Sequence, residues 1–436
     1  MNLTESKEAF IRLVQIPSVT ASGGEEQACA FLEKLLEEHG IQSERISKVP
    51  ERPNLLACIR SAHPQKEPVV LISHIDVVDG DAGKWTHPVF GGETADGRIW
   101  GRGTLDTKQL TMMELYAFLR LKERQRELNR DVWFLAAIDE EGGSSYGMEY
   151  VKSVRPELFR NAMVFNEGGG FPLRINGRDY MMLTVGEKAV CRVHVWADGT
   201  GGHASAPGSD QAIQKLAEGL RRIFAAERNL TCGSRQTQNT MKEIVGSEVW
   251  DNPTGADIFG YAGQNSISMR NYRIGERSNV IPAKAEAVLE FRILPGSSEC
   301  DVQSFLDREL SGTQVHYKLL GFEPGFESHF ENSHLKELVS DLNEACARFG
   351  FQGQVLPMLA LGRTDGRFFG SEGSMVYGCS PVLMGDSFDT VLPKVHGNDE
   401  SILEDSYLFG CRVLNDILQK NCLCGQSNKE ERDEGL

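Results

Sequence analysis

No stretch of this chain approaches the roughly 18 uninterrupted apolar residues that a helical membrane span requires, so membrane insertion is excluded from the reading. The opening Met1-Asn2-Leu3-Thr4-Glu5-Ser6-Lys7-Glu8 lacks a basic segment leading into an apolar one, so no secretory signal is expected and a cytoplasmic location follows. Positive charge is scarce: 46 Lys plus Arg stand against 62 Asp plus Glu, a formal charge of −16. That balance opposes a polyanionic partner, and nucleic acid is not expected. An anionic substrate would have to be captured by a few local arginines or a metal. The ten cysteines are scattered, and only Cys422 and Cys424 lie close together, with no second pair beside them. A disulfide framework is not expected, and most thiols should be small buried apolar residues.

What is present is a balanced globular composition, 40% hydrophobic and 25% charged. At 436 residues the chain exceeds the roughly 250 to 300 residues at which single cores stop growing, so two domains are expected. Residues 5–14 and 25–39 carry apolar positions at helical spacing, followed by short apolar runs at 54–59, 68–72, 132–138 and 162–165 that read as buried strands. Helix patterns at 107–124 and 146–154 alternate with them, which predicts a largely parallel sheet covered on both faces. From about Lys188 an alternating strand, a Gly-rich loop, a helix at 210–227 and a strand at 286–293 form an α+β insertion ending near Pro295-Gly296. Helix patterns at 300–310, 332–348 and 400–419 then resume the α/β texture. The division is therefore 1–187 and 298–420 for one discontinuous domain, 188–297 for the insertion, and 421–436 for a polar, disordered tail.

In open α/β sheets, ligands bind outside the carboxyl ends of the strands. Three apolar runs end in potential metal ligands: Val69 to Ser73 leads into His74-Ile75-Asp76, Trp133 to Ile138 into Asp139-Glu140-Glu141-Gly142-Gly143, and Met163 to Phe165 into Asn166-Glu167-Gly168. A single carboxylate there is an ordinary cap or loop residue; three on one sheet edge call for another explanation. Residues two apart in extended chain point the same way, so the spacing predicts that Asp76 reaches the second ring nitrogen of His74. Adjacent Glu140 and Glu141 diverge, which leaves one to bind metal and the other free as a base. A fourth segment, Trp100 to Lys108, puts Asp106 at a helix start, and a fifth, Val395 to Glu400, puts His396 before the last long helix. Two histidines with these carboxylates suit two zinc-class ions sharing one bridging carboxylate.

These five segments, in order, resemble the cocatalytic dizinc amidohydrolases and exopeptidases that include glutamate carboxypeptidase, aminoacylase, acetylornithine deacetylase and succinyl-diaminopimelate desuccinylase. The resemblance runs from about Phe10 to Leu418. It implies a zinc-exopeptidase catalytic domain interrupted by a lid that also mediates homodimerisation. It makes His74 and Glu167 ligands of one metal, Glu141 and His396 ligands of the other, and Asp106 the bridge. Asp76 becomes the residue that orients His74, and Glu140 the general base. Gly201-Gly202-His203-Ala204-Ser205-Ala206-Pro207 resembles the lid motif whose histidine polarises the scissile carbonyl, often from the partner subunit. Asn279 to Pro282 with Arg292 resembles the second lid motif, and Gly362 to Arg367, with Thr364, resembles the loop that meets substrate. Ser73, Asp79 and Gln109 depart from the Gly, Pro and Gly usual at those positions, but none is a ligand.

The implied cofactors are two zinc ions, with cobalt or manganese as substitutes. The implied reaction is hydrolysis of an amide next to a free carboxylate, as in a carboxypeptidase or dipeptidase acting on small peptides; the alternative is deacylation of N-acyl amino acids. Arg367 and Arg292 are the expected carboxylate binders, since a guanidinium presents two parallel donors. A metal-binding scaffold without turnover would lack the base or a ligand, and none is missing.

Overall fold

A computed structural model describes residues 1–251, 262–275, 279–328 and 333–424. Its larger sheet has ten strands. At its centre Val132–Ala137, Val69–His74, Met163–Asn166 and Met375–Gly378 lie side by side, all parallel. In register, Val69 pairs with both Val132 and Met163, so the carboxyl ends of these strands open on one edge. Pro53–Ile59 and Ser43–Ser47 extend the sheet antiparallel on one side, and Arg178–Glu187 with Gln354–Ala360 on the other. Central strands are buried on both faces and therefore need apolar side chains throughout; Val69, Val70, Leu71 and Ile72 are fully buried.

One face is covered by the helices Lys108–Glu123, Glu404–Cys422 and Leu3–Val14, around a core that includes Phe10, Phe118, Phe134 and Leu414. On the other face Met148–Val154 and Gly366–Gly370 pack over Val70, Ile72, Leu135 and Val164, with Phe369 of the second helix in the same cluster. The arrangement is the expected α/β architecture. Among the described residues no helix is long and apolar enough to cross a membrane.

A second sheet runs Ser266–Ile274, Lys284–Ile293, Ala189–Asp198, Val315–Glu323, every pair antiparallel. The helices Ala212–Ala225 and Glu299–Leu310 close one face around Val193, Val195, Leu289, Phe291 and Phe305. The expected end of this unit at 297 is corrected: Val315–Glu323 pairs with Ala189–Asp198, and Val302, Phe305 and Leu306 belong to the same core. Pro295-Gly296 is a turn between a strand and a helix of one unit, so the insertion continues to Glu323. The tail is corrected in part as well. Helix Glu404–Cys422 runs through Asn421, Cys422 is fully buried, and the Cys424 amide donates to the Glu127 carbonyl at 2.8 Å. Residues 425–436 lie outside the described residues. All ten cysteines are free.

Candidate metal centre

His74 is the last residue of its strand and is 2% exposed. Its Nδ1 lies 2.9 Å from the backbone carbonyl of Asp76, a pure acceptor, so Nδ1 carries the proton and Nε2 is left as the ligating atom. This corrects the expected carboxylate contact, since Asp76 Oδ1 is 3.6 Å away. The Asp76 carboxylate instead accepts from Thr20 Oγ1 at 2.8 Å and from the amides of Glu140 and Glu141 at 3.3 Å each. It therefore anchors the turn that carries both glutamates. Burial pushes Asp76 up to about 7.

His74 Nε2 sits 3.2 Å from Asp106 Oδ1 and 3.6 Å from Glu167 Oε2. His396 Nε2 sits 3.1 Å from Asp106 Oδ2 and 3.0 Å from Glu141 Oε1. Two trios result, His74–Asp106–Glu167 and Asp106–Glu141–His396, each with its donor atoms within 4.8 Å of one another. Asp106 belongs to both and turns one carboxylate oxygen toward each histidine. Burial raises the Asp106 carboxyl, but hydrogen bonds from His396 and His74 outweigh it and hold the group well below the usual carboxylate range. Hydrogen bonds to Asp106 and Glu141 push His396 up to about 10. For His74, burial is overcome by Glu167 and Asp106, and its imidazole is held well above its ordinary value. Carboxylate oxygens thus crowd the Nε2 atom of each histidine. The donor set, two imidazoles and three carboxylates with one shared, fits two zinc-class cations.

Glu140 belongs to neither trio. Burial, reinforced by the charge of Glu167, holds its carboxyl well above the usual range. Arg367 Nη1 lies 4.0 Å from Glu140 Oε1, while its other bonds run to the Thr364 carbonyl at 2.7 Å and to Ser144 Oγ at 2.9 Å. Thr364 is committed to structure: its hydroxyl donates to Glu187 and accepts from Asn166 Nδ2 at 2.5 Å.

The structure thus brings His74, Asp76, Asp106, Glu140, Glu141, Glu167, His396, Thr364 and Arg367 to one sheet edge. His203, Asn279 and Arg292 stay on the second unit, with no hydrogen bond or ion pair to that edge among the described residues. Exposed His203 bonds through Nδ1 to Ser205 Oγ at 2.7 Å, the Asn279 carbonyl accepts from the Ala204 amide at 3.0 Å, and Arg292 Nε donates to Glu290 at 2.9 Å. Sequence reasoning passed over Arg363, whose guanidinium pairs with Glu323 of the second unit at 2.5 Å, and Ser144, which joins Arg367 to Asp365. Arg363 was recognisable only as a further cation in the Gly362 to Arg367 loop; Ser144 carried no signal.

The sequence profile of Peptidase family M20/M25/M40 matches residues 70–420. The chain belongs to that family. This M20/M25/M40 member is 25% identical over 447 residues to the human N-fatty-acyl-amino acid synthase/hydrolase PM20D1, which covers 95% of this chain and 87% of the human protein. It is 27% identical over 408 residues to aminoacylase-1 of Dictyostelium discoideum, covering 90% of this chain and 91% of the relative. The crystal structure of an M20 family metallo-carboxypeptidase from Sulfolobus solfataricus matches with a TM-score of 0.71 at 20% identity, over 96% of this chain and 99% of the other. At that identity the likeness is one of fold. Family membership, together with the paired ligand trios, makes the M20/M25/M40 chain a metal-dependent amide hydrolase.

Proposed function

We propose that this protein hydrolyses the amide that joins an acyl or aminoacyl group to an amino acid with a free carboxylate, as a carboxypeptidase or dipeptidase does. The observation that carries this is Asp106 standing between two ligand trios, with Glu140 beside them and in neither. The trios would hold two zinc ions. When bound, the cations supply Lewis-acid polarisation and acidify a water enough for its deprotonation near neutral pH. Glu140 takes that water's proton and returns it to the leaving nitrogen. Asp76 fixes the turn from which Glu140 projects, through the Glu140 and Glu141 amides. Arg367, beside Glu140, and Arg292, on the lid, bind the substrate carboxylate; Asn279 completes its surroundings, while Thr364 serves indirectly, its carbonyl holding the Arg367 guanidinium in place.

His203 polarises the scissile carbonyl from a second copy of the chain, in a homodimer formed through the lid. The support for this is the lid's outer strand, Ser266–Ile274, which ends the sheet and exposes Met269 at 46% and Tyr272 at 65%. A second reading, deacylation of N-acyl amino acids, is favoured by likeness to aminoacylase-1 and to PM20D1 over 90% and 95% of this chain; likeness to a probable carboxypeptidase S-like protein of Dictyostelium discoideum, 24% identical, favours the first.

The test is kcat/KM of zinc- or cobalt-loaded protein on paired dipeptides, N-acyl amino acids and the C-terminal amides of both. Acids should exceed their amides about ten- to a hundredfold, the worth of a charged hydrogen-bonded contact. Arg367→Ala and Arg292→Ala should narrow that gap. Equal rates on acids and amides in the parent protein would overturn carboxylate recognition.

A further inference from the structure

Two residues outside both ligand trios tie the loops that carry them. Glu400 and Arg102 are buried, 0% and 2% exposed, and pair at 2.7 Å through Glu400 Oε2 and Arg102 Nη1. The other carboxylate oxygen, Oε1, accepts three backbone amides of the Asp106 loop: Leu105 at 2.7 Å, Gly103 at 3.1 Å and Asp106 itself at 3.3 Å. Arg102 reaches the other way. Its Nη2 donates to the Gly397 carbonyl, next to His396, at 2.8 Å, and to the Asp79 carbonyl at 3.3 Å. The guanidinium also lies over the Trp85 ring, 5.2 Å from its centroid. Glu400 is itself fixed in register, because its carbonyl accepts the Gly101 amide at 2.9 Å and Ser401, which begins the following strand, pairs with Trp100.

The chain therefore runs from one ligand, His396, to Glu400 in four residues, and Glu400 then grips the amide of the other ligand, Asp106. Both ends of one ion pair hold backbone atoms at or next to a ligand. A pair serving only to fill the core would have no reason to spend three of its bonds there. We propose that Glu400 and Arg102 are positioning residues that set the distance between Asp106 and His396, and so fix the affinity of the trio that those two share with Glu141. The inference rests on the metal-centre reading above.

Glu400→Gln is the informative change. The side-chain amide keeps one acceptor but turns a donor either to Arg102 or to the three loop amides, all donors themselves. Arg102→Lys keeps the charge and loses the fork that spans Glu400 and Gly397. Each full-length variant is checked for folding by circular dichroism, stripped of metal, and titrated with zinc against a chromophoric chelator and with cobalt by visible absorption. Both variants should fold, bind one equivalent as the parent does, and bind the other about ten- to a hundredfold more weakly, the usual effect of losing an outer partner of a metal ligand. Their cobalt bands should shift, and activity should recover with excess metal. Parent-like affinity for both equivalents, with an unchanged cobalt spectrum in folded variants, would overturn the proposal. Failure of both variants to fold without metal would overturn it too, because the pair would then be a folding element. A parent protein that binds fewer than two ions would instead sink the metal-centre reading itself.

Discussion

Glu140 owes its place to its backbone: its amide, like that of Glu141, ends on the Asp76 carboxylate, and the side chain is left out of both trios. A residue placed in this way has its carboxylate free for proton transfer. Glu140→Gln keeps the amide anchor and the volume while removing the basic oxygen. Turnover should fall by at least the roughly 10² to 10⁴-fold typical of general acid–base groups, with two metal equivalents retained. A variant keeping more than about a tenth of parental kcat would contradict the role. Asp76 makes a sharper distinction. If its carboxylate oriented His74, Asp76→Ala would weaken metal binding at the buried trio; the structure gives that task to the backbone carbonyl, which alanine retains. The expected result is parental metal content with kcat lowered about ten- to a hundredfold, in line with the 1 to 3 kcal/mol cost of unsatisfied buried donors. Loss of one metal equivalent in that variant would restore the carboxylate to the role the sequence assigned it.

At the scale of elements, legibility followed burial. Val69–His74, Val132–Ala137 and Met163–Asn166 are wholly or almost wholly buried, which forces uninterrupted apolar runs, and the residues after them stand where the parallel arrangement converges. Those runs carried the ligand positions with them. Ser266–Ile274 was missed because seven of its nine residues are exposed, so Met-Arg-Asn-Tyr-Arg shows no alternation to read. Helix Gln236–Val245 was missed for another reason: its buried face, Thr237, Gln238, Met241 and Val245, is half polar. The Asp76 geometry was beyond reach of spacing alone. Alternation holds only while the chain remains a strand, and this strand ends at His74, so the carbonyl two residues on meets the imidazole before the side chain does.

For the whole molecule, the role proposed for His203 requires a route to a catalytic edge with which its side chain makes no hydrogen bond or ion pair among the described residues. Among the described residues the His203 side chain bonds only within its own loop, to Ser205. If a second copy supplies it, His203→Ala and Glu140→Gln chains, each inactive alone, should complement when co-expressed. In a mixed dimer one site regains both groups, so random pairing should restore about a quarter of parental activity. No recovery in verified mixed dimers would place His203 in its own chain's site or outside the reaction. The outer lid strand offers a separate check. Tyr272→Glu, on the strand's exposed side, should shift the protein toward monomer in sedimentation and lower kcat in parallel, whereas an unchanged sedimentation coefficient would move the interface elsewhere.

The two trios share one carboxylate but not one exposure: His74 is 2% exposed and His396 is 51% exposed. Solvent, chelators and competing ions therefore meet the two positions at different rates. In a chase with excess chelator, the cation beside His396 should leave first, giving a fast phase of about one equivalent and a slow phase of the other. Activity should track the fast phase, since a half-loaded centre lacks the second positive charge. A single-exponential loss of both ions would mean that the centre opens as a unit, and that its residence time is set by motion of the whole edge rather than by the unequal cover of its two histidines.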